Sequence, residues 1–155
     1  MKELWKNIPD HYGYQASNKG RIRSFRAGKR GNPFLLSPKS HLLKPYILYS
    51  SRKMGHMCVS LVSERMKKQS LIYLVHRLVL ETFVGPCPQG KECRHLDGNP
   101  ANNLLTNLCW GTHTENMQDM VRHGTALLGE KSPFHKLTPD QVKELDRNFN
   151  IETTG

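Results

Sequence analysis

The sequence has no long apolar run, no C-x-x-C pair and, over its first half, almost no acid. Each absence excludes something. A bilayer-spanning helix needs about 20 mostly apolar residues, and no stretch here is that long. The charged N-terminus lacks the apolar run of a secretory signal. An intracellular protein with reduced thiols is therefore expected. The four cysteines, Cys58, Cys87, Cys93 and Cys109, do not have the spacing of a structural zinc site. They read as small packing residues, with Cys93 and Cys109 placed to face each other across two short strands. Hydrophobic residues make up 37% of the chain and aromatics 8%. Few aromatics fall outside core positions, which counts against RNA recognition by base stacking.

What is present is basic charge, unevenly placed. Residues 1–80 hold 16 of the 23 Lys and Arg but 3 of the 13 Asp and Glu, a net +13, whereas residues 81–155 carry net −3. Such an asymmetry suits a polyanion-binding arm joined to a part with a different task. Tyr14-Gln-Ala-Ser-Asn-Lys-Gly-Arg-Ile-Arg reads as a hairpin, with Arg21 and Arg23 alternating away from the face that buries Ile22. Two guanidinium groups on one sheet face suit phosphate contacts. Residues 26–40 read as a basic loop carrying Arg26, Lys29 and Arg30. Strands are expected at residues 42–49, 58–62 and 71–74. Together with the hairpin they form one small antiparallel sheet, whose segments and turns add Arg52, Lys53, Lys67 and Lys68 as DNA-contacting candidates.

Residues 74–84 show helical apolar spacing, with Leu74 and Leu78, and Val75 and Val79, as i, i+4 pairs. This is the expected core helix, stopped by Gly85-Pro86. His76 on it reads as a packing or surface histidine. After it comes Glu92-Cys-Arg-His-Leu-Asp-Gly-Asn, a strand ending at His95, then a loop rich in asparagine and a second strand around residues 107–110. Thr112-His-Thr-Glu115 is a capping box that opens a helix with Met117, Met120 and Val121 as its buried side. A last short helix is expected from Thr138-Pro. The fold class is thus α+β, with segments 1–73 (β-rich, DNA-binding), 74–124 (the site) and 125–155 (linker and partial helical tail).

Three polar residues, His95, Asn107 and Asn116, fall on three successive elements. Phosphodiester hydrolysis needs a base for water and a cation for the charge that develops on phosphorus and the leaving oxygen. Histidine suits the first task, and an amide oxygen is an acceptable ligand for Mg²⁺. Asn99, Asn102 and Asn103 read as loop formers that satisfy backbone groups.

Val75-His-Arg-Leu-Val…Phe83, Arg94-His-Leu-Asp-Gly-Asn…Asn103, Asn107-Leu-Cys-Trp-Gly-Thr and Glu115-Asn116 resemble the HNH endonuclease family with the ββα-metal fold. The resemblance is to the phage and intron-encoded homing or nicking branch. Trp5…Ile8-Pro9…Tyr14-Gln-Ala-Ser-Asn-Lys-Gly-Arg-Ile-Arg-Ser24 is similar to the nuclease-associated modular DNA-binding motif that precedes such domains. The resemblance implies a metal-dependent DNA endonuclease acting on double-stranded DNA with Mg²⁺ (or Mn²⁺), leaving 5′-phosphate and 3′-hydroxyl ends. It implies His95 as general base, Asn107 as the residue that orients it and Asn116 as metal ligand. Where many members place an Asp or Asn ligand, this chain has Arg94. Arg94 either clamps the scissile phosphate, or marks a protein that binds DNA without cutting it.

Overall fold

The computed structural model describes residues 2–27, 35–47, 55–62 and 69–126, together with Asp140, Gln141 and Lys143. Lys29, Arg30, Arg52, Lys53, Lys67 and Lys68 lie outside the described residues, as does most of the helix expected from Thr138. Asp140, Gln141 and Lys143 are helical. The chain divides into two units, Met1–Asp119 and Met120–Gly155. No helix among the described residues is long and apolar enough to cross a membrane.

Two antiparallel sheets stand where one was expected. Strands β1 (Trp5–Asn7), β2 (Tyr14–Ser17), β3 (Ile22–Arg26) and β4 (Leu36–Leu42) form the first, in that order. Strands β5 (Tyr46–Ile47), β6 (Met57–Val62) and β7 (Ser70–Leu74) form the second. The break falls between Leu42 and Tyr46, where Pro45 has no N–H to give a ladder. The strand expected over residues 42–49 therefore does not run through. Residues 36–40, read as part of a basic loop, belong instead to β4, which pairs Leu42 with Arg23 and His41 with Ser24. Nearly every β4 side chain is exposed, so the strand leaves no apolar alternation in the sequence to be found.

The β2–β3 turn is built by Ser17 and Gly20. The buried Ser17 hydroxyl accepts the amides of Lys19 and Arg21 at 3.2 and 3.1 Å. Gly20 has φ +75, and a Cβ there would lie 2.6 Å from the Asn103 carbonyl oxygen. Any side chain at position 20 would push the turn off the asparagine loop. The Leu105 amide donates to the Asn18 carbonyl at 3.0 Å, which closes the same contact.

Helix α1 (Val75–Phe83) supplies the centre of the core. Val75, Leu78, Val79 and Leu80 are essentially inaccessible. They pack with Ile8, Tyr14, Ala16 and Ile22 of the first sheet region, Val59 and Leu61 of β6, and Leu108. Each such side chain contributes about 1.5–3 kcal/mol by leaving water. The Tyr14 hydroxyl accepts the Val62 amide at 3.1 Å, tying the two sheets. The N-terminal strands thus share one core with the segment that carries the site.

That segment is a hairpin of β8 (Lys91–His95) and β9 (Leu108–Thr112), followed by α2 (His113–Arg122). The capping box is present. The Thr112 amide donates to Glu115 Oε2 at 2.7 Å, and the Glu115 amide donates to Thr112 Oγ1 at 3.2 Å. The buried side of α2 differs from expectation: Val121 is 53% exposed, and the fully buried residue is Asp119. Its partner, described below, comes from β8.

Candidate functional site

Neighbouring residues of a strand point to opposite faces, so His95 and Arg94 look in different directions from β8. Register places Arg94 against Cys109 and His95 against Leu108. Cys93 pairs with Trp110 and Cys109 with Arg94, so Cys93 and Cys109 are one register position apart and do not face each other.

On one face His95 is buried, and its Nε2 meets Asn103 Oδ1 at 3.4 Å. Asn103 Nδ2 donates to the Ala101 carbonyl at 3.2 Å, which turns its amide oxygen toward the ring. This network assigns the proton to Nε2 and leaves the Nδ1 lone pair available. Burial pulls His95 below its ordinary value, with the Asn103 hydrogen bond and the Asp97 charge working the other way. The ring is neutral at neutral pH, the form a general base requires.

Asn107 acts on the peptide chain around His95 and not on its ring. Its carbonyl accepts the Leu96 amide at 2.9 Å, and its Oδ1 accepts the Asp97 amide at 3.0 Å. Its Nδ2 donates to Asp97 Oδ1 at 2.8 Å and to the Asn102 carbonyl at 2.9 Å. Partial desolvation pushes Asp97 up, but hydrogen bonds from Asn102, Asn99 and Asn107 outweigh it and hold the carboxyl low. Asn103, read from the sequence as a loop former, is the residue that reaches His95. Its position follows from how the loop docks on Asn18 and Gly20, a contact without a sequence pattern.

On the other face Arg94 is held by two carboxylates one helical turn apart on α2. Its Nε and Nη2 meet Asp119 Oδ2 at 2.8 and 2.7 Å, and its Nη1 meets Glu115 Oε1 at 3.2 Å. The arginine side chain is 13% exposed and that of Asp119 4%. The Asp119 bond raises the Arg94 pKa further above its usual value. Gly111 makes the arrangement possible, since a Cβ there would lie 2.2 Å from Arg94 Cδ. Asn116 is not part of this cluster. Its Nδ2 donates to Glu92 Oε1 at 2.7 Å, and His113 Nδ1 lies 3.3 Å from the same oxygen. Strand alternation alone places Glu92 on the Arg94 face, so this partner was legible.

A family model described as HNH endonuclease matches residues 73–118, and one described as NUMOD4 motif matches residues 3–61. The chain carries an HNH endonuclease domain and a NUMOD4 motif. It is 28% identical over 150 residues to the DNA endonuclease I-HmuI of Bacillus phage SP01, covering 90% of this chain and 75% of that one. It is 33% identical over 124 residues to the HNH endonuclease L245 of Acanthamoeba polyphaga mimivirus, covering 80% of this chain and 32% of that protein. The chain thus spans about a third of the mimivirus relative. A solved structure titled as DNA binding and cleavage by the HNH homing endonuclease I-HmuI superposes with TM-score 0.58 at 28% identity, over 95% of this chain and 68% of that chain.

HNH nucleases are generally dependent on a divalent metal. Within this HNH domain Arg94 offers no oxygen, and it engages both Asp119 and Glu115. Glu92 and Asn116 are an oxygen-bearing pair on the Arg94 face, but Asn116 presents Nδ2 to the Glu92 carboxylate, so a hard cation held by both would need the Asn116 amide turned over.

The NUMOD4 arginines divide by face. Arg21 is half exposed and paired with Glu3, with Nε to Oε1 at 2.8 Å. Arg23 donates through Nε to Gln15 Oε1 at 2.8 Å and lies over the Trp5 ring at 4.3 Å. Both point away from buried Ile22, as the alternation requires. Arg26 shares the Ile22 face and is buried, donating from Nη1 to the Tyr12 carbonyl at 3.1 Å and lying over Tyr14. Its expected place in a DNA-facing loop is corrected by this burial.

Proposed function

We propose that the chain is a DNA endonuclease in which His95 is the general base. The carrying observation is the buried imidazole at the end of β8, held by Asn103 and by the Asn107-clamped turn. In this reading the His95 lone pair takes a proton from water. The water oxygen attacks phosphorus, the P–O3′ bond breaks, and the departing 3′ oxygen takes a proton from solvent water, leaving 5′-phosphate and 3′-hydroxyl ends. Asn107 keeps the peptide after His95 in place, so the ring does not swing off the attacking water. Mg²⁺ (or Mn²⁺) would be held by Asn116 and Glu92, and when bound it supplies charge stabilisation at the phosphate and leaving oxygen. Arg94 organises the α2 carboxylates from the other side of the strand.

The NUMOD4 face brings double-stranded DNA to this site. Arg21 and Arg23 face outward, and Lys29, Arg30, Arg52, Lys53, Lys67 and Lys68 complete the basic half of the sequence. Their role is phosphate neutralisation, which positions a duplex without reading its sequence. The test is plasmid nicking with Mg²⁺ or Mn²⁺, comparing the native protein with His95→Ala. Cutting lost in the variant, with DNA affinity kept, supports the reading, and equal cutting ends it.

One observation favours a second reading, a catalytically silent DNA-binding protein. Arg94 stands at a ligand position and is committed to Asp119 and Glu115. That protein would show tight, salt-sensitive binding and no cutting with any divalent ion.

A further inference from the structure

His95 is one of three imidazoles packed together. His56 precedes β6, His76 lies in the first turn of α1, and His95 ends β8. Ring centroids are 4.8 Å apart for His56 and His76, 5.0 Å for His76 and His95, and 5.8 Å for His56 and His95. One ring nitrogen from each lies within 4.8 Å of the other two. His76 and His95 are buried, at 5% and 9% exposure, and His56 is half-buried.

We propose that His56, His76 and His95 form a binding site for a transition cation of the Zn²⁺ class, and that filling it withdraws His95 from catalysis. Three facts support this. All the donors are imidazoles, which suit Zn²⁺, Co²⁺, Ni²⁺ or Cu²⁺ and discriminate against Mg²⁺, whose ligands are oxygens. The donors come from three separate segments, α1, the end of β8 and the residue just before β6, and two of them are buried, so the site is largely formed before the metal arrives. Ligand nitrogens around a tetrahedral Zn²⁺ stand about 3.4 Å apart, so from within 4.8 Å the rings need to close by up to about 1.4 Å. His56, the most exposed of the three and set outside any helix or strand, is the ring that would shift. A set of three histidines leaves a fourth position for water or a phosphate oxygen.

The consequence for cutting rests on the endonuclease reading, whereas the binding itself does not. A lone pair that holds a metal is not available to accept a proton from water. The same protein would then be supported by Mg²⁺ and arrested by a stoichiometric amount of Zn²⁺. The two cations would take different ligands, one Glu92 and Asn116, the other the three histidines.

The experiment uses the full chain and Co²⁺ as the probe. One equivalent of Co²⁺ is expected to give the visible absorption of a tetrahedral complex, and Zn²⁺ to bleach it. His56→Ala is expected to weaken Co²⁺ binding by about 100-fold or more, with an unchanged circular dichroism spectrum. His56→Gln serves if the alanine variant folds poorly. Absence of the spectrum in the native protein, or an identical spectrum in both His56 variants, overturns the site. In plasmid nicking with Mg²⁺, one equivalent of Zn²⁺ is expected to slow the native protein at least about tenfold and to spare His56→Ala. Equal inhibition of the two overturns the link to His95. A protein that cuts nothing with Mg²⁺ alone defeats the endonuclease reading, and the Co²⁺ spectrum still reports on the site.

Discussion

The Arg94 guanidinium meets the Asp119 carboxylate at 2.7 Å, with both side chains almost withdrawn from water. Removing one partner of such a pair leaves a nearly buried charge uncompensated. Arg94→Met is therefore expected to lower stability by about 3 kcal/mol, read as a shift in the urea midpoint. Asp119→Asn is expected to act in the same direction. A double variant less destabilised than the sum of the two singles is the signature of the pair. Additive losses would show that the two residues act independently.

Arg94→Asp goes further, since it sets a third carboxylate beside Asp119 and Glu115. The variant is expected to melt below the native protein in EDTA and to gain more from millimolar Mg²⁺ than the native protein does, because a bound cation stabilises the folded state by mass action. Equal Mg²⁺ responses in a thermal melt would show that position 94 has no bearing on a cation.

Asn103 and Asn107 are expected to separate in function. Asn103→Ala removes the group facing His95 Nε2 and is expected to slow cutting about 10–100-fold with DNA affinity unchanged. Asn107→Ala removes the clamp on Asp97, Leu96 and the Asn102 carbonyl. Its main effect is expected on folding, at about 2–3 kcal/mol. Single-turnover nicking alongside chemical denaturation distinguishes them.

The three described NUMOD4 arginines are expected to divide in the same way. Arg23→Ala is expected to weaken duplex binding and reduce the slope of log affinity against log salt by about one. Arg26→Ala is expected to cost stability first, because its side chain is buried against Tyr12 and Tyr14. Filter binding at several salt concentrations gives the slope, and an unchanged slope for Arg23→Ala would remove that residue from the phosphate contacts.

Cys93 gives a pH dependence with a clear sign. Burial first, and Cys109 next, push its thiol from 9.0 up to about 12. In the unfolded chain the thiol ionises as pH passes 9.0, while in the folded chain it keeps its proton. The contribution of Cys93 to stability is therefore complete below that pH and is lost as pH rises toward 12. Alkylation at mildly alkaline pH is expected to be much slower at Cys93 in the folded protein than in urea. Mass mapping that finds equal labelling rates would contradict the burial of this thiol.

The sequence by itself determined what local chemistry writes into a short stretch. Helix α1 follows from the i, i+4 spacing of Val75 and Val79, and the start of α2 from the reciprocal bonds of Thr112 and Glu115. The β2–β3 turn follows from Ser17 to Gly20. The β8–β9 hairpin and the place of His95 at its end were legible for the same reason. The anomaly of Arg94 was legible too, as a residue type at odds with a metal-ligand position.

Only the tertiary structure decided which residues those features meet. Asn103 reaches His95 because the asparagine loop docks on Asn18 and Gly20, more than 80 residues earlier in the chain. Asp119 is buried on a polar helix because Arg94 crosses Gly111 to reach it. His56, His76 and His95 come together from three elements that no periodicity connects. Local patterns fix elements because their contacts lie within one turn of chain, whereas these contacts depend on core packing that the whole sequence shares. Arg26 reads from sequence as the start of a basic loop, whereas the structure makes it the buried end of β3, at the bulged pairing with β4.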